Sequence, residues 1–267
     1  MNRFSQALTF FMVHADRADC SNLAKKNKGS GRNPWINRWW IFLPLLCVLL
    51  ASCGELRPKV LPQMATLPSA GLADRCRVFF PQGHWQLTHT IHFQLADGTN
   101  GNALGVLTIA GSTLNCALLS IEGLTLFEAS SAQDGSLEVL RALPPFDSPA
   151  FAAGLIADIR TLFFMPLGVA STGRLVQGEP LCRYTDQERV TDILPDAAGC
   201  FQLSTYALRP KADGALPVLT RSVNARSCIE RDNSRLAQNL TLTGLGRAGY
   251  TLNLRLLTAE PLPAARP

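Results

Sequence analysis

Beyond residue 52 the chain has no excess charge of either sign. Seven of its 25 Lys and Arg and two of its 20 Asp and Glu lie in the first 52 residues, leaving 18 of each. The net charge of +5 therefore belongs to the leading segment. That removes any electrostatic case for nucleic acid or for an anionic lipid surface as a partner. Long apolar runs are also missing. Trp39 to Leu50, 12 residues, is the longest, and at ~1.5 Å per residue it would cover ~18 Å of a ~30 Å hydrocarbon core. No Cys-x-x-Cys pair occurs, which argues against a zinc or thioredoxin-like site. Neither Gly-x-Ser-x-Gly, His-Glu-x-x-His, a Walker loop nor Ser-x-x-Lys occurs after residue 52. That lowers the case for an enzyme, and neither cofactor nor metal is expected.

What is there begins at Trp39 to Gly54. Arg32 and Arg38 precede a short apolar stretch that closes on small residues. This is the layout of a cleaved export signal rather than a spanning helix. Leu50-Ala51-Ser52-Cys53 resembles the lipobox of bacterial lipoproteins: an aliphatic residue, two small ones, then cysteine. The resemblance implies diacylglycerol on Cys53, cleavage before it, and an acyl chain such as palmitate on the new amino terminus. By the sorting rule of such lipoproteins, Asp after the cysteine retains a protein in the inner membrane. Gly54 stands there instead, which implies the outer membrane, with the folded part facing the periplasm. Two or more chains hold a protein on a membrane stably.

Four segments are expected. Residues 1–52 are leader and signal peptide. About 38 residues precede the apolar run, more than an ordinary n-region, so the start codon is suspected to lie too far upstream. Residues 53–72, with Pro58, Pro62 and Pro68, read as a lipidated tether, 73–260 as one β-rich domain, and 261–267 as a disordered tail. Of eight cysteines, Cys20 and Cys47 leave with the leader and Cys53 is consumed by lipid. Export permits disulfides. Cys116, in an apolar stretch, reads as a buried thiol. Cys76, Cys182, Cys200 and Cys228 are the candidate disulfide cysteines, with three pairings open.

Trp85, Leu87, His89, Ile91, Phe93 and Leu95 alternate with polar residues, the clearest period of two in the sequence. Asp97 to Gly101 supplies a hairpin turn. Strand-like runs follow at Ala103–Ala110, Thr113–Ile121, Leu124–Glu128 and Leu137–Arg141, an antiparallel meander of about five strands. After Pro144-Pro145 the period changes. Ser148 and Pro149 form an N-cap and first-turn pair. Phe151, Leu155, Ile156, Ile159, Leu162 and Phe163 then make one apolar helical stripe, and Pro166 marks its end. Residues 168–238 are hard to read, with short strands expected at Arg174–Val176 and Phe201–Tyr206. Asn239–Thr243 and Tyr250–Leu257 alternate again and read as a hairpin.

The chemistry-bearing candidates are few. Gly244-Leu245-Gly246-Arg247-Ala248-Gly249 matches a dinucleotide fingerprint, but a strand pattern follows where that fingerprint needs a helix. A glycine-rich turn explains it better. His84 and His92 would lie ~26 Å apart on one strand, so the histidines do not converge on a metal. His89, on the apolar face, reads as a hydrogen-bonded core histidine. Asp158 and Arg160 read as a solvated helix flank.

The meander followed by Phe151-Ala152-Ala153-Gly154-Leu155-Ile156-Ala157-Asp158-Ile159-Arg160 and Met165-Pro166 resembles the LolB family of outer-membrane lipoprotein receptors. Its relatives include lipoproteins encoded near aryl-polyene and other lipid-biosynthesis genes. The resemblance covers about Trp85 to Leu167. It implies an α+β, mainly antiparallel fold, an unclosed β-barrel or curved sheet wrapped over one main helix, whose apolar interior receives acyl chains. Leu87, Ile91, Phe93, Phe151, Leu155 and Ile159 would line that interior. The family's receptor inserts lipoproteins with an exposed leucine on a protruding loop. Asp97–Gly101 offers none, so no residue of that function is carried over. The expectation is a non-enzymatic outer-membrane lipoprotein that binds or transfers an acyl chain, another apolar ligand or a lipoprotein. Two alternatives stand beside it: a structural or assembly lipoprotein contacting an envelope protein, and a periplasmic hydrolase.

Overall fold

The computed structural model describes residues 60–67, 70–208, 216–246 and 249–263. Cys53, its lipobox and the leader lie outside these residues. The described chain forms thirteen strands and two helices. Strand β1 (Met64–Thr66) and helix α1 (Ala70–Arg77) come first. The meander follows as β2 (His84–Leu95), β3 (Asn100–Ala110), β4 (Thr113–Leu119), β5 (Thr125–Ser131) and β6 (Leu137–Ala142). After helix α2 (Pro149–Phe163) come β7 (Val169–Leu175), β8 (Pro180–Thr185), β9 (Arg189–Pro195) and β10 (Phe201–Ala207). The last three strands are β11 (Val218–Arg231), β12 (Ser234–Gly244) and β13 (Tyr250–Pro261).

All thirteen strands join one sheet in the order β1-β7-β8-β9-β10-β11-β12-β13-β2-β3-β4-β5-β6, every pairing antiparallel. The two edges, β1 and β6, do not pair, so the sheet is unclosed. Laid flat, it would be ~58 Å wide at ~4.8 Å per strand. Yet Trp85, Leu107 and Phe127 from one half share a single apolar core with Ile193, Phe201 and Leu242 from the other. The sheet must curve to bring them together. Helix α2 lies against this concave side, as the ring contacts of Phe163 with His89 and of Phe151 with Phe127 show.

Local chemistry explains the elements. Trp85, Leu87 and His89 are buried in alternation along β2. The turn into β3 carries Gly98 at φ +87°, where a side chain would be strained. The Ser148 Oγ caps α2 by accepting from the Phe151 N–H at 3.1 Å, with Pro149 in the first turn. The β11–β12 hairpin turns on Asp232 and Asn233, both at positive φ (47° and 59°), in the manner of a type I′ turn.

The segment expected as tether enters the fold before Leu72. Val60 bridges to Val218, Pro62 accepts a hydrogen bond from Arg183, and β1 pairs with β7. Leu61 packs on a small second cluster of Val190, Tyr206 and Leu219. Val190 is three residues from Ile193 of the main core, so it lies on the opposite face of β9. The segment is thus a strap across the outer face of the β7–β11 region. Beneath it Arg183 and Asp192 form a bidentate ion pair at 2.6 and 2.7 Å. At the other end, β13 extends to Pro261, the first residue of the expected tail.

Two disulfides resolve the open pairings: Cys76–Cys182, 106 residues apart in sequence, and Cys200–Cys228, 28 apart. Cys116 is free and buried. Helix α1 has little apolar stripe of its own and is fixed to β8 by the first bridge. Loop-closure entropy assigns ~4.8 kcal/mol to the longer loop and ~3.6 to the shorter. Replacing Cys76 and Cys182 by Ser should therefore cost more stability than replacing Cys200 and Cys228, by about 1 kcal/mol, in paired chemical-denaturation curves.

Candidate functional site

The inward faces of β2, β3, β4 and β13 meet the apolar stripe of α2. Between them lies a cavity of about 60 Å³, bordered by His89, Ile91, Gly105, Leu155, Ile159 and Leu252 among others. A second space of about 20 Å³ lies beyond it, bordered by Phe79, Leu87, Leu162, Phe201 and Leu240. His89 and Phe163 border both spaces, and their rings touch at 5.3 Å between centroids.

Of the six residues expected to line an interior, Ile91, Leu155 and Ile159 border the larger space and Leu87 the smaller. Phe151 instead packs its ring on Phe127 and Phe146. Phe93 lies across Gly101 on the neighbouring strand, its ring filling the place of a Cβ there.

His89 is 4 % exposed, as its position on the apolar face implies. The expected hydrogen bond is not found: among the described residues its imidazole has no protein partner. Every fully sealed polar side-chain atom among those residues is hydrogen-bonded. The imidazole nitrogens are therefore not sealed, and the ring borders both spaces. Burial lowers its pKa from 6.5 to about 4, so the ring is neutral at physiological pH. His92 instead pairs with Asn102 at 3.0 Å on the outside. Among the described residues no group of three His, Cys, Asp or Glu could hold a metal.

Asp158 overturns its reading as a solvated flank. It is 6 % exposed and joins α2 to the sheet. Arg221 Nε donates to its Oδ1 at 2.7 Å, and the Tyr250 hydroxyl donates to its Oδ2 at 2.6 Å. Register explains the convergence: Arg221 of β11 faces Gly244 of β12, which faces Tyr250 of β13. A Cβ on Gly244 would sit 2.3 Å from the Tyr250 ring. The glycine therefore lets the ring lie across β12 and leaves the row open for both side chains to reach Asp158. Burial pushes the Asp158 carboxyl above the usual range, against the pull of Tyr250 and Arg221. Burial pulls the Arg221 guanidinium down, but Asp158 outweighs it and holds it above its ordinary value. Contacts this short favour the charged pair at neutral pH.

Arg160, two residues on, projects from the opposite flank of the helix. Its Nη2 donates to Ser131 Oγ at 2.9 Å and to the Ala132 carbonyl at 3.0 Å. Helix α2 is thus pinned by polar contacts on both flanks, with its apolar stripe between them. Gly244, the first residue of the Gly244 to Gly249 motif, serves this packing.

No protein-family model matches the chain, and no curated protein matches it. Among solved structures it is similar to a LolA superfamily protein of Nitrosomonas europaea, with a TM-score of 0.45 and 11 % identity over 72 % of this chain and 93 % of that one. It is also similar to a domain described as an outer membrane lipoprotein-sorting protein from Vibrio parahaemolyticus. There the TM-score is 0.43 and the identity 10 %, over 71 % of this chain and 90 % of that one.

The neutral histidine makes the fold sensitive to acid. The folded state binds this proton less readily than the unfolded chain does. Its contribution is complete above about pH 6.5 and is lost as pH falls towards about 4. A shift of that size corresponds to about 3 kcal/mol. Denaturation curves from pH 7 to 4 should show the wild type losing about that much more stability than His89→Leu.

Proposed function

We propose that this chain is a non-enzymatic, lipid-anchored envelope protein that binds an acyl chain, free or as part of a lipoprotein, between helix α2 and the sheet. The observation that carries the reading is the construction of that interior. An apolar stripe faces an apolar concave sheet across residual space, and polar clamps on both flanks hold the helix over it. Ligand pockets usually measure ~300–1,000 Å³, so the 60 Å³ between sheet and helix is the closed form. Binding would move α2 outward and place the acyl chain where the stripe now lies. The lipobox at Cys53 supports attachment to a membrane, and Gly54 supports the outer one, on the periplasmic side.

The small size of the space favours one other reading, a structural or assembly lipoprotein whose interior stays packed. Titration with a fluorescent fatty-acyl probe separates the two. On the carrier reading the protein binds the probe, and Asp158→Ala tightens the apparent affinity several-fold by raising the fraction of open molecules. If neither protein binds the probe at tens of micromolar, the packed reading holds. In cells, Cys53→Ser should abolish incorporation of labelled palmitate; retained label would remove the lipid anchor from the proposal.

A further inference from the structure

We propose that His89 is the polar anchor of the interior and that it selects an acyl chain bearing an uncharged carbonyl, an ester or amide, over a bare hydrocarbon or a free carboxylate. The inference rests on the carrier reading and specifies its ligand. Three observations converge on it. His89 is 4 % exposed and finds no protein hydrogen-bond partner among the described residues. No polar side-chain atom among those residues is both sealed and unpaired, so its nitrogens keep access to open space. The residue borders both interior spaces, beside Phe163.

The surrounding charges define the ligand class. Asp158 borders the larger space, and Arg221, the cation nearest to it, is already committed to that carboxylate. Arg235 borders the smaller space and not the larger. A free carboxylate entering the larger space beside His89 would meet Asp158, whose cation is already engaged. A neutral imidazole N–H can donate to a carbonyl oxygen without moving a charge into the interior. The rest of the lining, Ile91, Leu118, Leu155, Ile159 and Leu252, accepts the hydrocarbon.

The test uses the purified full chain and displacement of diphenylhexatriene, a neutral fluorescent hydrocarbon, by methyl oleate, 1-octadecene and oleate. The expected result is displacement by methyl oleate at about tenfold lower concentration than 1-octadecene, the effect of one net hydrogen bond. His89→Leu should reduce that difference to less than about twofold. Equal binding of ester and hydrocarbon by the wild type, or a preference that survives in His89→Leu, overturns the proposal. So does tighter binding of oleate than of its ester. If diphenylhexatriene and all three compounds fail to bind the wild type, the carrier reading itself falls. Should His89→Leu not fold, the wild-type preference still decides, together with imidazole nitrogen NMR. Those signals should shift with methyl oleate and not with 1-octadecene.

Discussion

The interior of this protein depends on one buried carboxylate. Apolar packing drives α2 onto the sheet, but that attraction is non-directional and would tolerate several positions along the groove. Asp158 removes the freedom. Isolated in such a place the charge would cost several kcal/mol, so it must find Arg221 and Tyr250, 63 and 92 residues away in sequence. They can meet it together because Gly244 stands between them in the row across β11, β12 and β13. Helix position, sheet register and a glycine are therefore one constraint.

The outer face has its own version of this arrangement. Arg183 and Asp192 pair across β8 and β9, and the strap from Val60 to Pro62 covers them, Arg183 reaching the Pro62 carbonyl at 2.9 Å. The strap also explains why the sequence is hard to read there. Val190, Thr191, Asp192 and Ile193 are buried one after another, because β9 has protein on both faces. The polar–apolar alternation that identifies a half-exposed strand disappears under those conditions. Strands β2 and β13 kept it. Helix α2 was legible from Ser148, Pro149 and its stripe. Helix α1 was not, since its eight residues have little apolar period and are placed by the Cys76–Cys182 bond.

The candidate site was legible in the same uneven way. The faces of Leu87, Ile91, Leu155 and Ile159 follow from periodicity, because a face is a local property; that they would line an interior is what the resemblance implies. Asp158 did not, because a charge beside an apolar stripe usually faces solvent, and its partners lie in the least regular part of the chain. The burial of His89 could be read from β2; its lack of a partner could not. That property depends on what the folded neighbours bring to the ring, Phe163 of the helix among them.

These two kinds of contact divide the work of opening. On the carrier reading an incoming acyl chain exchanges one apolar neighbour for another, so burial changes little as the stripe of α2 gives way. What the chain cannot replace are the clamps at Asp158 and Arg160. Both lie in the C-terminal half of the helix. The N-terminal half is held by Phe151 against Phe127 and Phe146, contacts that an acyl chain can substitute. The helix would therefore yield first near Phe151 and last near Phe163, where the ring of His89 waits. The threshold for admitting a ligand is then set by a few hydrogen bonds to two side chains, rather than by the whole area that the helix covers.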